Sequence, residues 1–115
     1  MPEKGLSSRE LTMYKLVFFV PESHLEPVKA AVFATGAGRI GDYAQCCFET
    51  RGQGQFRPLD GANPFLGRPG ELERVAEVRV ELVCEDQLIR DAVAALRAAH
   101  PYEEPAFDAW PLAEL

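Results

Sequence analysis

The segment from Tyr14 to Val20 constrains the fold more than any other part of the sequence. It is rich in aromatic and β-branched residues, and Pro21 stops it. This composition is typical of a β-strand with apolar side chains on both faces. We therefore expect the strand at the centre of a sheet, with a covering on each side.

A helix is predicted to follow this strand, from Ser23 to Thr35. Ser23 and Glu26 have the spacing of a capping box, which marks a helix start, and Gly36 provides a stop signal. Between these limits, one face of the predicted helix would contain three apolar residues and a threonine at helical spacing, namely Leu25, Val28, Val32 and Thr35.

The rest of the chain predicts three more strands and one more helix. A second strand is expected from Tyr43 to Gln55, with Cys46, Phe48 and Thr50 on one face. A long connection rich in glycine and proline follows, and long loops inside small domains are often functional. The remaining predicted elements are a third strand of alternating pattern over residues 77–84, a second helix over 87–99 and a short strand over 106–110.

The predicted order of elements is β-α-β, a long loop, and then β-α-β. This order folds most simply into the ferredoxin-like α+β arrangement, a four-stranded antiparallel sheet with both helices on one face. The other face would then be uncovered, and Val17 and Phe19 would expose apolar area there. Self-association through the sheets would cover that area, so another copy of the chain is the expected partner.

Composition limits the class of protein. The chain has 115 residues, 47% of them hydrophobic, which is enough for one domain with its own core. We expect a flexible extension over residues 1–12 and the domain over 13–115. The net charge of −6 argues against nucleic acid as a partner, and no apolar run is long enough to span a membrane. Three cysteines without a spaced framework suit a reducing, cytoplasmic location.

Three stretches of the sequence together resemble a known module. They are FFVPESHLEPVKAAVFATGAGRIGDYAQCCF at residues 18–48, GQGQFRPLDGANPFLG at 52–67 and HPYEEPAFD at 100–108. In this order and spacing they resemble the CutA-like domain inserted in the YqfO branch of the Nif-three family. The resemblance covers nearly all of the chain beyond residue 13, and it implies a fold akin to CutA and the PII-type signalling proteins, which assemble as trimers.

The resemblance covers the inserted module only. Larger family members carry this module between two halves that supply a dinuclear metal site, and we expect this chain to be a stand-alone form without them. Its two histidines, His24 and His100, do not provide such a site. The dinuclear site is therefore not carried over, and the hydrolase activity ascribed to some full-length relatives stays an alternative based on analogy alone.

Candidate ligand-binding residues lie in the long loop and in the turn after the second helix. Residues 51–68 contain three arginines against one aspartate, a net charge of +2, whereas residues 71–115 have a net charge of −7. The loop could attract a small anionic ligand, or its arginines could pair with acidic neighbours. The candidates are Arg51 and Arg57 of the loop, Tyr102, Glu103 and Glu104 of the turn, and, outside both, Arg39 of the glycine-rich stretch 36–41.

The same turn also contributes to a candidate metal site. His100 can bind a divalent metal ion or satisfy the dipole at a helix end, and Glu103 can coordinate a metal or be solvated. Adjacent strand residues point to opposite faces, so Cys46 and Cys47 cannot readily share one ion. The metal candidates are accordingly His100, Cys46 and Glu103, while structural roles remain the alternative for each.

The sequence contains no motif that places a nucleophile and a base together, so no catalytic residue is assigned. The favoured hypothesis is a homotrimeric binding or regulatory module. It would sense a metal ion or a small anionic ligand at clefts between subunits, lined by the long loop and the turn. The alternatives are a metal-dependent hydrolase of nucleotide-like substrates and an assembly adaptor that binds no small ligand.

Overall fold

The computed structural model describes residues 12–115. The order of its elements along the chain follows the predicted order. They are strand β1 (Met13–Pro21), a short 3-10 turn (Glu22–His24), helix α1 (Leu25–Phe33), strands β2 (Phe48–Phe56) and β3 (Glu73–Glu85), helix α2 (Asp86–Ala99) and strand β4 (Phe107–Pro111).

All neighbouring strands in the sheet are antiparallel, and their order is β2-β3-β1-β4. β1 therefore lies at the centre, as its double-sided apolar pattern predicts. It pairs with β3 along its whole length, from Met13 opposite Glu85 to Pro21 opposite Glu77. The four-stranded sheet with two helices confirms the ferredoxin-like fold.

The hydrophobic core lies between the sheet and the two helices. On the helix side of β1, Leu16, Phe18 and Val20 are fully buried. They pack in one cluster with residues of β3, α1 and α2. Burying a phenylalanine such as Phe18 stabilises the fold by about 1.5–3 kcal/mol relative to leaving it exposed. The other cluster members are Leu25, Val28, Val32, Ala37, Val78, Val80, Leu82, Cys84, Ala92 and Leu96.

The second strand begins later than predicted, at Phe48 rather than Tyr43. The backbone makes a tight turn instead, in which Ile40 and Tyr43 form an isolated bridge around Gly41. Gln45 then has a positive φ of 59°, a conformation outside the β-region. Cys46 consequently lies before the strand, and only Phe48 and Thr50 of the predicted face belong to it.

The predicted capping box does not form. Helix α1 begins at Leu25, and Ser23 lies in the preceding 3-10 turn. The Ser23 hydroxyl is 2.8 Å from Nδ1 of His24 and makes no bond to a backbone amide at the helix start. In the turn after Pro21, the Ser23 hydroxyl therefore pairs with the neighbouring His24 ring and does not cap the helix.

The open face of the sheet differs from the prediction at its centre. Val17 points to that face, yet it is only 1% exposed within a single chain. It lies directly between Glu81 of β3 and Asp108 of β4 in the row of residues across the sheet. Phe19 is half-buried, with the Arg79 guanidinium 5.8 Å from its ring centre. The expected exposure of Val17 is therefore wrong.

The large exposed side chains on the open face belong to its edge strands. Phe48 of β2 is 69% exposed and lies opposite Glu81, in the same row as Val17. Trp110 of β4 is 41% exposed and lies opposite Lys15. We use the name edge aromatics for this pair.

The predicted flexible extension lies, except for Thr12, outside the described residues. Among the described residues, the first regular element is β1, which begins at Met13. Neither α1 nor α2 is long and apolar enough to cross a membrane.

Candidate functional site

A pocket of about 440 Å³ opens between the long loop after β2 and the turn after α2. The loop supplies Leu59 and Phe65, and the turn supplies Tyr102. Two residues of the sheet, Phe19 and Phe56, complete the apolar walls. The volume lies in the range that accommodates a small organic ligand. The structure therefore brings together the two segments that were predicted to line a cleft.

The loop holds a defined shape because it bonds to itself and to the turn. The Gly70 amide donates a hydrogen bond of 2.7 Å to the Pro58 carbonyl, which closes the base of the loop. The backbone amide of Asn63 donates a hydrogen bond of 2.9 Å to Oε1 of Glu103, which joins the loop to the turn. A long connection that is pinned at two points can present a preformed pocket.

His100 fixes the turn beneath the pocket. Its side chain is buried, its Nε2–H donates a hydrogen bond of 2.7 Å to the Phe19 carbonyl, and its Nδ1 accepts one of 3.1 Å from the Tyr102 amide. These partners require the neutral tautomer with the proton on Nε2. Burial lowers the pKa of His100, although its hydrogen bond to Phe19 acts in the opposite direction. His100 therefore acts as a neutral link between β1 and the turn.

Tyr102 joins the turn to β3. Its hydroxyl donates a hydrogen bond of 2.9 Å to Oε2 of Glu77, at the floor of the pocket. Burial raises the pKa of Tyr102 well above its usual range, and the hydrogen bond to Glu77 and the charges of Glu77 and Glu73 raise it further. Tyr102 is consequently a phenol at neutral pH, and it can hold the Glu77 carboxylate in place.

The aromatic rings around the pocket form one connected cluster. The Tyr102 ring centre lies 5.8 Å from that of Phe56 and 6.4 Å from that of Phe65. Phe65 also meets His24 edge to face, with ring centres 5.3 Å apart. Contacts of this kind add to the stabilisation from burial. Phe65, in the middle of the loop, is thereby anchored to both the turn and the start of α1.

The predicted ligand-binding residues fall in three places. Four of them line the pocket, namely Arg57, Tyr102, Glu103 and Glu104. Arg51 lies elsewhere, with Nη1 2.6 Å from Oε2 of Glu22 in an exposed ion pair. Arg39 lines a separate, open depression beside Ile40 and Glu85.

The predicted metal ligands are not gathered within one chain. Among residues 12–115, no group of three or more His, Cys, Asp and Glu side chains is placed to hold a metal ion. Both ring nitrogens of His100 are already hydrogen-bonded, and Oε1 of Glu103 accepts from Asn63. Cys46 precedes β2 in the irregular segment 34–47. A site that draws ligands from two subunits stays a prediction.

Most residues that line the pocket were not among the predicted site residues, and Glu77, Phe56 and Phe65 are three of them. Glu77 belongs to the polar side of an alternating strand, a pattern that usually indicates solvent exposure. Phe56 and Phe65 could have been noticed as isolated aromatic residues at the edge and in the middle of a loop otherwise rich in polar residues, glycine and proline. Their convergence depends on how the loop folds back over the sheet.

Comparison with known proteins identifies homologues that are much longer than this chain. A Halalkalibacterium halodurans protein named GTP cyclohydrolase 1 type 2 homolog is 46% identical over 102 residues, which cover 89% of this chain and 27% of the relative. A Mycobacterium tuberculosis protein of the same name is 53% identical over 98 residues, covering 85% and 26%. The chain spans about a quarter of the length of these curated relatives. No protein-family model matches the sequence.

Solved structures agree with the sequence matches. A Bacillus cereus protein related to NIF3 superposes with a TM-score of 0.76 at 44% identity, over 90% of this chain and 26% of that protein. CutA from Xylella fastidiosa gives a TM-score of 0.64 at 15% identity, covering 89% and 85%. The Bacillus subtilis GlnK–ATP complex gives 0.57 at 8% identity, covering 88% and 82%. The last two likenesses show the fold alone. The chain is thus homologous to the CutA-like part of NIF3-related proteins, which confirms the resemblance.

Proposed function

We propose that this homologue of the CutA-like part of NIF3-related proteins is a self-associating binding module. Its ligand is a small organic molecule held in the pocket between the long loop and the turn after α2. Binding there would tie the loop to the sheet and so report the presence of the ligand to a partner. This is the function of a regulatory module, and it requires no catalytic group in the chain.

The pocket is the observation that carries the proposal. Its walls are mostly apolar and aromatic, and a few polar groups of Glu77, Tyr102 and Glu103 meet at its floor and rim. This combination is typical of sites for small ligands, in which apolar walls provide affinity and sparse polar groups fix orientation. The hydrogen bonds of Glu77 and Glu103 to neighbouring segments hold these groups in place before a ligand arrives.

A ligand survey by native mass spectrometry and thermal shift tests the proposal. A molecule that binds the pocket should raise the melting temperature of the chain and appear as a defined mass increment. Ala62 lines the pocket, so an Ala62→Trp variant should lose that response because the indole fills the space. Ala98→Trp, at an exposed position of α2, is the matched control and should respond as the unaltered chain does. Equal responses of both variants would contradict the proposal.

Self-association is proposed to use the open face of the sheet. The helix face is covered by α1 and α2, whereas the edge aromatics, Phe48 and Trp110, are exposed on the opposite face. Apolar side chains of this size at a surface commonly mark a contact with another protein chain. The resemblance to CutA and PII-type proteins implies that three copies assemble.

Light scattering coupled to size exclusion tests the assembly. The chain should elute with the mass of three 12.7 kDa chains at micromolar concentration. Phe48→Ser should shift this mass toward the monomer. Leu59→Ser removes a side chain of similar exposure, 65% against 69%, but from the loop, and it should leave the mass unchanged. A stable monomer for the unaltered chain would disprove assembly while leaving the pocket open to its own test.

A further inference from the structure

We propose that the ligand of the pocket is a small organic cation, an ammonium or amidinium group on an apolar body. The inference rests on the proposed function and specifies the chemistry of the ligand. It departs from the sequence-based expectation of an anion, which depended on the net charge of residues 51–68. In the structure, only one of the three arginines of those residues, Arg57, lines the pocket.

The walls of the pocket favour a cation because they are aromatic. The aromatic side chains of Phe19, Phe56, Phe65 and Tyr102 all line it. The face of an aromatic ring carries negative electrostatic potential, so it attracts an organic cation and disfavours an anion. An apolar body attached to the cation would gain further from contact with the same rings.

The charged groups around the pocket also favour a cationic ligand. Three carboxylates line it, those of Glu77, Glu103 and Glu104, against the single guanidinium of Arg57. Glu77 is half-buried at the floor, whereas Arg57, Glu103 and Glu104 are exposed, so solvent screens the charge of Glu77 least. The charges of Glu77 and Glu73 contribute to the raised pKa of Tyr102, which indicates a negative potential at the floor.

The other two arginines of residues 51–68 pair with glutamates outside the pocket lining. Arg51 pairs with Glu22 at 2.6 Å, and Nε of Arg68 lies 3.8 Å from Oε1 of Glu71. Neither arginine lines the pocket. The loop is therefore basic in sequence, yet the cavity it covers is acidic and aromatic.

Calorimetric titration with three probes that share a benzyl group tests the inference. The probes are benzylammonium, phenylacetate and benzyl alcohol, whose substituents carry a positive, a negative and no charge. We expect the cation to bind at least tenfold more tightly than either of the others at low ionic strength. Tighter binding of phenylacetate, or equal binding of all three, would overturn the inference while leaving the pocket as a ligand site. Binding of none at millimolar concentration would overturn both the inference and the proposed site.

Two substitutions separate the contributions of charge and ring. Glu77→Gln keeps an acceptor for Tyr102 but removes the charge, and it should weaken binding of the cation at least fivefold. Glu114→Gln makes the same change of charge near the C-terminus, away from the pocket, and should have no effect. Phe65→Leu keeps an apolar side chain without an aromatic face. It should therefore weaken binding of the cation more than it weakens binding of benzyl alcohol. Equal effects of Glu77→Gln and Glu114→Gln would overturn the role assigned to the floor carboxylate.

Discussion

The carboxylate of Glu77 lies over Gly54 on the neighbouring strand while it accepts the hydrogen bond from Tyr102. A methyl group at Gly54 would come within 2.2 Å of Oε1 of Glu77, so the glycine creates the space in which the carboxylate lies. The hydrogen bond from Tyr102, 2.9 Å long, holds the carboxylate over that space. The absence of a side chain in β2 therefore helps to build the floor of a pocket formed by β3 and a distant turn.

Gly54→Ala is expected to displace the Glu77 carboxylate and break its bond to Tyr102. We expect a loss of about 1.5–3 kcal/mol in the free energy of unfolding, the usual contribution of a hydrogen bond to a charged group. The pKa of Tyr102 should also fall toward its usual range, because the adjacent carboxylate moves away. Chemical denaturation and spectrophotometric titration of tyrosine measure the two effects.

Gly52 provides the control for this substitution. It lies two residues earlier on the same face of β2, opposite Glu77, and a methyl group there would have nothing within 4 Å. Gly52→Ala should therefore leave both the stability and the tyrosine titration close to those of the unaltered chain. A loss of stability as large as that of Gly54→Ala would show that both effects arise from the strand backbone.

The lowered pKa of His100 predicts that stability declines in mild acid. The unfolded chain has an ordinary histidine, with a pKa of 6.5, whereas burial lowers the value in the folded chain. Between these two values the unfolded chain binds more protons, so the free energy of unfolding falls as the pH falls below about 6.5. Above that value this contribution is fully present. Denaturation curves at a series of pH values between 5 and 8 measure the slope.

Substitution of each histidine identifies the group responsible. His100→Gln can still donate a hydrogen bond to the Phe19 carbonyl but does not titrate, so its stability should vary less between pH 5 and 7. His24→Gln removes the other histidine, which lies beside Phe65 and makes the smallest contribution to the lowered pKa of His100, so most of the slope should remain. If His100→Gln kept the full slope, another group would have to account for it.

The order of elements could be predicted from the sequence because each signal was local. Alternation along residues 77–84 and the apolar stripe of the second helix depend only on neighbouring residues. The segment 43–47 shows the limit of such reasoning. Its residues continue the alternation of β2 backwards, but Gln45 adopts a positive φ and the chain turns away from the sheet. Nothing in the identity of a single glutamine indicates that conformation.

The site could be predicted only in part, for a related reason. The turn residues Tyr102, Glu103 and Glu104 were recognised because several polar groups lie together in the sequence. Glu77 became part of the site through the register between strands, and Phe65 through the folding of the loop over the sheet. The net charge of residues 51–68 does not describe the pocket lining either, because Arg51 pairs with Glu22, far away in the sequence.

Gly38→Ala is expected to destabilise the chain more than Gly41→Ala. Both glycines have positive φ, 85° and 57°, so each substitution costs roughly 1–2 kcal/mol in backbone strain. A methyl group at Gly38 would also lie 2.7 Å from the Phe33 ring and 3.1 Å from the Cys46 carbonyl, whereas Gly41 has open space around it. The additional overlap should cost about 1 kcal/mol or more, measured by chemical denaturation. Equal losses would show that the segment after α1 adjusts freely.

Thiol labelling should distinguish the three cysteines. Burial raises the pKa of Cys84 to about 11, with a smaller contribution from the Glu85 charge, so about one thiol in a thousand is ionised at pH 8. Burial also raises the pKa of Cys47, while Cys46 is half-buried in the irregular segment before β2. Since the thiolate is the reactive form, iodoacetamide should label Cys46 first, Cys47 more slowly and Cys84 only after denaturation.

Peptide mass spectrometry would show the order of labelling, and a Cys84→Ala variant should give the same labelling of the folded chain. Labelling of Cys84 at the rate of Cys46 would mean that the core between β3 and the helices opens readily.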